Sequence, residues 1–152
     1  MTAERGLLRV TNSEVAALLG AGSHVYLDVR SEQEFELGHV PDAINVPWRI
    51  SAQGSPNPDF LRHVRHVMAR FPGPQALVVG CQSGHRSRLA GELLLEQGFA
   101  CVVEHAAGIA GLRDEFGQLL EPGWERAGLP LSFTPAPGCS YREICASARV
   151  GS

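Results

Sequence analysis

Short apolar segments that alternate with helix-start signals limit what this chain can fold into more than any other feature of its sequence. Four segments have this character and are expected to be strands: residues 24–29, 43–46, 76–80 and 99–103. They are apolar along almost their whole length, which is typical of strands buried on both faces of a parallel sheet. Because helices are predicted between them, we expect an α/β fold with a mainly parallel sheet and helices on both faces.

The helix-start signals lie between these segments. The sequences Thr11-Asn12-Ser13-Glu14 and Ser31-Glu32-Gln33-Glu34 are capping boxes, which predict one helix ending at Gly20 or Gly22 and a shorter one ending near Gly38. A third helix is predicted over 60–71, started by Asn57-Pro58 after a polar loop at 51–58 and ended by Pro72-Gly73-Pro74. Two more are predicted over 87–97 and 109–120.

The last part of the chain has a different character. Beyond Pro130 the regular apolar pattern stops, and Pro135, Pro137 and Gly138 interrupt the backbone. We therefore expect residues 132–152 to form an irregular C-terminal tail, loose or docked, rather than a second domain.

Composition excludes several classes of function. The formal net charge is -3, and all 13 basic residues are arginine. This charge argues against a nucleic-acid partner, and the lack of lysine excludes Schiff-base chemistry. No apolar run approaches the ~20 residues of a membrane span, and residues 1–10 lack the apolar core of a secretory signal, so we expect no membrane partner. The four cysteines form no Cys-x-x-Cys pair, so we expect free thiols and a cytoplasmic location.

One loop combines the features of a nucleophilic site. Cys81 follows the strand predicted at 76–80, where ligands collect in open α/β sheets, and a predicted helix begins at Ser87. Gly84 allows a backbone turn whose N–H groups would surround an anion, and Arg86 adds a permanent positive charge. Such surroundings would stabilise the thiolate of Cys81, or the charge of a persulfide. The alternative, a small buried residue at a strand end, does not explain the basic residues His85 and Arg86.

Three groups of motifs, taken together, resemble the rhodanese family, the thiosulfate and related sulfurtransferases. The stretch Cys81-Gln82-Ser83-Gly84-His85-Arg86-Ser87 resembles the active-site loop of that family. Four stretches nearer the start of the chain resemble the N-terminal signature of the family: Leu27-Asp28-Val29-Arg30, Glu34-Phe35, Gly38-His39-Val40-Pro41 and Asp42-Ala43-Ile44-Asn45-Val46-Pro47. Ala107-Gly108 and Gly128-Leu129-Pro130 resemble its closing segments, so we expect a rhodanese-like domain over residues 10–131.

The resemblance implies a fold and an activity. The implied fold is a central, mostly parallel five-stranded sheet flanked by helices. The implied activity is sulfur transfer through a Cys81 persulfide, from an anionic donor such as thiosulfate to cyanide, a thiol or a partner protein. By the same resemblance no cofactor is needed, and the loop supplies the substrate-binding residues: Gln82, Ser83, Gly84, His85, Arg86 and Ser87.

Two other functions would share parts of this pattern. A non-catalytic or persulfide-carrying module that binds a partner protein would keep the fold, but the intact Cys81 and its basic loop argue against an inert version. A cysteine-dependent phosphatase requires Cys-x5-Arg, and Ser87 occupies the arginine position while Arg86 and Arg88 flank it. The shorter loop therefore favours a sulfurtransferase.

Polar residues near the strand ends have two interpretations. Asp28 and Arg30 are either substrate residues or an ion pair, and we favour the ion pair because buried carboxylates are normally paired. Asp28 is expected to brace the active-site loop by accepting its hydrogen bonds. Glu34 and His39 are expected to have structural roles of the same kind.

His63 and His66 lie three residues apart on a predicted helix. A metal pair is conceivable, but no third ligand is evident, so we expect a solvated helix face and no metal site. Trp48 and Arg49 would border the mouth of the site or pack against the following loop.

The remaining cysteines are less informative. Cys101 is expected to be inert core, and Cys139 and Cys145 are either incidental, as we favour, or take part in a sulfur relay with Cys81. The segment 113–124 is expected to be a helical insertion near the site.

Overall fold

Five parallel strands form the central sheet, and their bounds are β1 (Leu8–Val10), β2 (His24–Asp28), β3 (Ile44–Asn45), β4 (Ala76–Gly80) and β5 (Val102–His105). Their order across the sheet is β1-β5-β4-β2-β3, and neighbouring strands pair in parallel. The α/β class, the parallel sheet and its five strands are therefore confirmed. The ends of β2 and β4 lie side by side, because Asp28 pairs with Gly80.

The computed structural model describes residues 6–50, 54–72 and 76–151. Predictions for residues 1–5, for positions 51–53 of the polar loop and for Gly73-Pro74 lie outside the described residues. Within the described ranges, no helix has both the length and the apolar character that crossing a bilayer requires.

In the described ranges five helices accompany the sheet: α1 (Asn12–Gly20), α2 (Glu32–Glu36), α3 (Phe60–Met68), α4 (Arg86–Glu96) and α5 (Tyr141–Gly151). Both capping boxes are confirmed, since Thr11 and Ser31 each accept a hydrogen bond from the backbone of a glutamate three residues later. The third helix begins at Phe60, the first residue of its predicted range, and ends at Met68, before the predicted end at residue 71. Its N-cap is Asp59 and not the predicted Asn57. Asn57 accepts a hydrogen bond from the Asp59 backbone in a turn that precedes the helix.

The alternation of side chains along the strands divides the core between the two faces. Leu27, Leu77 and Val79 lie in one apolar cluster, which includes residues of α3, α4 and α5. Tyr26 and Val78 lie in a second cluster with residues of α1 and α2. Because both faces are covered, β4 is apolar along its whole length. The buried polar side chains of its neighbours, Asp28 on β2 and Glu104 and His105 on β5, are all hydrogen-bonded.

The prediction of a helix over 109–120 is wrong. This segment contains an antiparallel hairpin of β6 (Gly111–Arg113) and β7 (Leu119–Pro122). Gly117 has a φ of 82°, and the Asp114 carboxylate accepts hydrogen bonds from the backbones of Phe116 and Gln118. This turn chemistry outweighs the helical spacing of the apolar residues, so the expected insertion at 113–124 is a hairpin.

The tail is not irregular throughout, because residues 141–151 form α5. Ile144 is completely buried and packs into the core, and the Ser140 hydroxyl accepts a hydrogen bond from the Glu143 backbone at the helix start.

The prediction that α3 has a solvated face is wrong for His63, which is 4% exposed. Its Nδ1 lies 2.7 Å from the Tyr141 hydroxyl, since α5 covers this face.

The strand predicted at 99–103 is displaced toward the C-terminus, since β5 spans Val102–His105. Cys101 therefore lies before the strand and is exposed, not inert core. Its Sγ lies 3.9 Å from His24 Nε2.

A buried polar network ties the hairpin to the sheet. The Tyr26 hydroxyl donates to His105 Nδ1 at 2.7 Å, and His105 Nε2 donates to Asn12 Oδ1 at 2.7 Å. The Asn12 amide donates in turn to the Pro122 carbonyl at 2.8 Å. Both ring nitrogens of His105 are thus used in its neutral form, and burial lowers its pKa to about 4.

This histidine is expected to make folding stability depend on pH. In the unfolded chain a histidine titrates near pH 6.5. Because the folded pKa is lower, its contribution is fully present above about 6.5 and is lost as pH falls toward 4, at a total cost of about 3 kcal/mol. Urea unfolding of the native chain and of His105→Gln across this range should show a steeper loss for the native chain. Equal pH slopes would contradict the assignment.

Candidate active site

The active-site loop connects β4 to α4 at the carboxyl edge of the sheet. Cys81 is the first residue after β4 and is 2% exposed. The loop is held from behind, because the backbone N–H of Ile109 donates to the Cys81 carbonyl at 3.0 Å and that of Ala110 to the Gln82 carbonyl at 2.7 Å. Gly108, with a φ of 60°, forms the close contact that makes these bonds possible.

Two backbone N–H groups point at the sulfur. That of Gly84 lies 3.2 Å from Cys81 Sγ and that of Ser87 lies 3.4 Å from it. The thiol donates to the Ser87 hydroxyl oxygen at 3.3 Å. Backbone donors from two of the predicted loop residues, Gly84 and Ser87, therefore point at Cys81 Sγ.

Gly84 is required by both conformation and space. Its φ is 88°, and a Cβ there would lie 2.7 Å from Arg9 Nη2 and 2.8 Å from the Ala106 carbonyl oxygen. A side chain would push the backbone away from the sulfur.

Arg30 links the end of β2 to the loop. Its guanidinium donates to both Asp28 oxygens and, through Nη1, to Gln82 Oε1 at 2.7 Å. Asp28 therefore accepts no hydrogen bond from the loop among those of the described residues. The expected ion pair between Asp28 and Arg30 is therefore confirmed. The expectation that Asp28 itself accepts hydrogen bonds from the loop is wrong, because Arg30 makes the contact with Gln82. Burial alone would lower the pKa of Arg30, but Asp28 outweighs it and raises this pKa. Asn45, which the sequence analysis missed, holds this turn by donating to the carbonyls of both residues.

Arg86 is paired rather than free. Its Nη1 and Nη2 donate to Glu34 Oε1 and Oε2 at 2.7 and 3.0 Å. Burial pushes the pKa of Glu34 upward, but hydrogen bonds from Arg86 and from the Ser31 backbone outweigh it and bring this pKa to about 2. The structural role expected for Glu34 thus has a physical basis, while the charge of Arg86 is largely neutralised.

The loop consequently offers its exposed side chains, Ser83 and His85, to a ligand. Within the part of the chain that the structure describes, three arginines at the loop or its supports have carboxylate partners: Arg30 with Asp28, Arg86 with Glu34, and Arg9 with Glu104. An anion would therefore be held mainly by backbone N–H groups.

Glu104 and Arg9 were missed by the sequence analysis. Glu104 is completely buried on β5, where it accepts a hydrogen bond from the Ser87 hydroxyl at 2.5 Å and pairs with Arg9 Nε at 2.6 Å. The available signal was a charged residue within an apolar strand, which requires a partner when it is buried.

The other candidates lie outside this cluster. His39 Nδ1 donates to the Phe35 carbonyl at 2.8 Å and its ring stacks on that of Phe35, as expected for a structural role. Trp48 packs edge-on against Phe60. Among the described residues, no group of three or more metal-ligating side chains is found, and His66 Nε2 lies 2.9 Å from the Ser147 hydroxyl.

Cys139 and Cys145 are both half-buried in the C-terminal region. The carbonyl of Cys139 accepts a hydrogen bond from the Asn45 backbone beside β3, and burial raises the pKa of its thiol. The favoured interpretation, that both cysteines are incidental rather than part of a sulfur relay, stays a prediction.

Comparison with known proteins gives consistent matches. The family model for the Rhodanese-like domain matches residues 11–115. Thiosulfate sulfurtransferase 16, chloroplastic, of Arabidopsis thaliana is 41% identical over 115 residues, which are 74% of this chain and 82% of that protein. The senescence-associated protein DIN1 of Raphanus sativus is 40% identical over 96 residues, which are 62% of this chain but only 51% of that protein.

Solved structures share the fold. Rv0390 from M. tuberculosis superposes with a TM-score of 0.67 at 29% identity, over 85% of this chain and 99% of that one. The thiosulfate sulfurtransferase from Pseudomonas aeruginosa superposes with a TM-score of 0.59 at 25% identity, over 97% of this chain and 25% of that one. The loop geometry, the family match and these relatives agree, and the chain belongs to the rhodanese-like domain family.

Proposed function

We propose that this chain is a sulfurtransferase that carries a sulfane sulfur as a persulfide on Cys81. The observation that carries the proposal is the position of Cys81 Sγ, at the carboxyl end of β4 and within reach of two backbone N–H donors. Donors fixed by the backbone need no rearrangement when negative charge develops on sulfur. Relatives named as thiosulfate sulfurtransferases support the same class of reaction.

The proposed reaction has two displacements. The Cys81 thiolate attacks the outer sulfur of thiosulfate, the sulfur–sulfur bond of the donor breaks, and its electron pair leaves with sulfite. The Cys81 persulfide then gives its terminal sulfur to cyanide or a thiol, and the bond electrons return to Cys81 as thiolate. A covalent intermediate of this kind divides one difficult transfer into two easier ones.

The loop supports a sulfur anion better than a phosphate ester. Ser87 stands where a phosphatase needs arginine, and its hydroxyl is held by the buried Glu104. Arg86, one position earlier, is bound by Glu34. Arg88, one position later, is exposed on α4. The loop therefore has no arginine at position 87, where a phosphatase places the one that closes around a phosphate.

A protein acceptor is the second candidate for the final step. The chain is 30% identical over 95 residues to the adenylyltransferase and sulfurtransferase UBA4 of Meyerozyma guilliermondii, a match that covers 21% of that protein. In that relative the matched region is a small part of a larger protein named for two activities, so a domain of this family can work beside other protein parts. A chain that takes sulfur from thiosulfate but releases none to cyanide would favour this version.

Initial-rate kinetics test the proposal. Thiocyanate formation measured at several thiosulfate and cyanide concentrations should give parallel double-reciprocal lines, because sulfite leaves before cyanide reacts. Intersecting lines would mean that both substrates must be bound together and would contradict a persulfide intermediate.

A further inference from the structure

A buried carboxylate is connected to the reactive sulfur through one intervening side chain, that of Ser87. Glu104 is 0% exposed on β5 and receives two hydrogen bonds, from Arg9 Nε to Oε1 at 2.6 Å and from the Ser87 hydroxyl to Oε2 at 2.5 Å. The Ser87 oxygen in turn lies 3.3 Å from Cys81 Sγ. The four side chains thus form one connected row from the sulfur to the edge strand β1.

The direction of each hydrogen bond follows from counting protons. A serine hydroxyl has one proton, and an ionised glutamate can only accept. The Ser87 proton is therefore directed at Glu104, and the side of the Ser87 oxygen that faces Cys81 offers a lone pair. Arg9 is the charged partner that a buried carboxylate requires, and its hydrogen bond fixes the orientation of Glu104.

The groups around the sulfur therefore have opposite effects on its charge. The backbone N–H groups of Gly84 and Ser87 favour a negative sulfur. The lone pair of the Ser87 hydroxyl favours a protonated one, because only a thiol can donate to it. A thiolate would gain a third hydrogen-bond donor if the Ser87 proton were free to turn.

We propose that Glu104 is a positioning residue, which turns the Ser87 hydroxyl proton away from Cys81 and so leaves the sulfur without a side-chain donor. This inference deepens the proposed function, since it assigns the control of the same nucleophile. Its consequence is that developing thiolate charge on Cys81 is stabilised by the backbone alone.

Two further carboxylates near the loop, Asp28 and Glu34, are paired. They bind arginines of the loop's surroundings, Arg30 and Arg86. Tyr26 and His105 bond each other, and burial raises the pKa of the first and lowers that of the second, so both are neutral near neutral pH. His85 is exposed on the loop itself. All of these groups remain when Glu104 or Ser87 is replaced, so their contributions cancel in a comparison of variants.

The test is the pH profile of Cys81 alkylation by iodoacetamide, followed on the Cys81 peptide by mass spectrometry. In Glu104→Gln the amide oxygen can accept from Arg9 while the NH₂ group donates to Ser87, which frees the serine proton for the sulfur. The profile is expected to move to lower pH, with about tenfold faster alkylation at mildly acidic pH. Glu92→Gln removes the same charge from an exposed position on α4 and should leave the profile unchanged. An unchanged profile in Glu104→Gln, or a move to higher pH, overturns the proposal.

Ser87→Ala keeps the proposal testable if Glu104→Gln does not fold. This variant keeps the Ser87 backbone donor and removes the lone pair that accepts from the thiol, so its profile should also move to lower pH. A move to higher pH would show that Ser87 normally donates to the sulfur and would overturn the proposal. In the double variant the Glu104 effect should be much smaller than alone, and full additivity would mean that Glu104 acts only by its charge.

Alkylation requires no sulfur donor, so this test is independent of sulfur transfer. A chain that shows the expected profiles but forms no persulfide would overturn the proposed function and leave the role of Glu104 supported.

Discussion

Replacement of Cys81 by serine is expected to reduce sulfur loading and thiocyanate formation to the uncatalysed background. A serine hydroxyl is far less nucleophilic than a thiol at neutral pH and cannot carry a persulfide. The substitution changes one atom, and the hydrogen-bond partners at Gly84 and Ser87 remain, so the fold should be retained. Activity assays together with circular dichroism measure both effects.

Cys101→Ser is the matched control for this prediction. It makes the same change at an exposed cysteine outside the active-site loop. It should keep full activity. Residual turnover in Cys81→Ser that exceeds the background would mean that another thiol carries the sulfur.

The second large effect is expected from Gly108→Ala, behind the active-site loop. A Cβ at this position would lie 2.6 Å from the Gln82 carbonyl oxygen and even closer to that of Cys81. These carbonyls also accept the hydrogen bonds that hold the loop in place. We expect the free energy of unfolding to fall by about 2–4 kcal/mol, and most activity to be lost because the loop must move.

Gly98→Ala is the control that separates the effect of atomic crowding at Gly108 from the effect of its positive φ. Gly98 has a φ of 95°, and a Cβ there would meet no atom within 4 Å. Its substitution should cost about 1 kcal/mol and leave activity unchanged. Urea unfolding of both variants measures the difference. Equal losses of stability and activity would contradict the role assigned to the Gly108 contact.

Local signals in the sequence predicted the parts of the fold that depend on local chemistry. The capping boxes at Thr11 and Ser31 form because hydroxyl and glutamate lie three residues apart in the chain. The strand before Cys81 and the helix after the loop could likewise be predicted from apolar length and periodicity. These features require no knowledge of distant residues.

The errors in the fold arose where turn chemistry or distant packing competes with periodicity. The apolar residues between 109 and 120 have helical spacing, yet Gly117 and Asp114 form a turn that produces a hairpin. In the tail, Ile144 and Ala148 lie on one side of α5 and are buried in the fold. The prolines before α5 obscured that pattern, since they govern only the segment that leads to the helix.

Only those residues of the candidate site that lie close together in the sequence could be predicted from it. Cys81, Gly84 and Ser87 are close in sequence, and their loop could be predicted as one unit. Glu104 and Arg9 reach the same place from β5 and β1, which are neighbours only because of the strand order. The pairing of Arg86 with Glu34 also depends on the tertiary fold, so a free charge was expected where the structure has an ion pair.

Mass spectrometry of the protein after exposure to thiosulfate tests the central claim most directly. The account predicts a mass gain of one sulfur atom on the peptide that contains Cys81. Addition of cyanide should remove this sulfur and release thiocyanate. Absence of the added sulfur, or its location on Cys101, Cys139 or Cys145 instead, would contradict a Cys81 persulfide as the carrier.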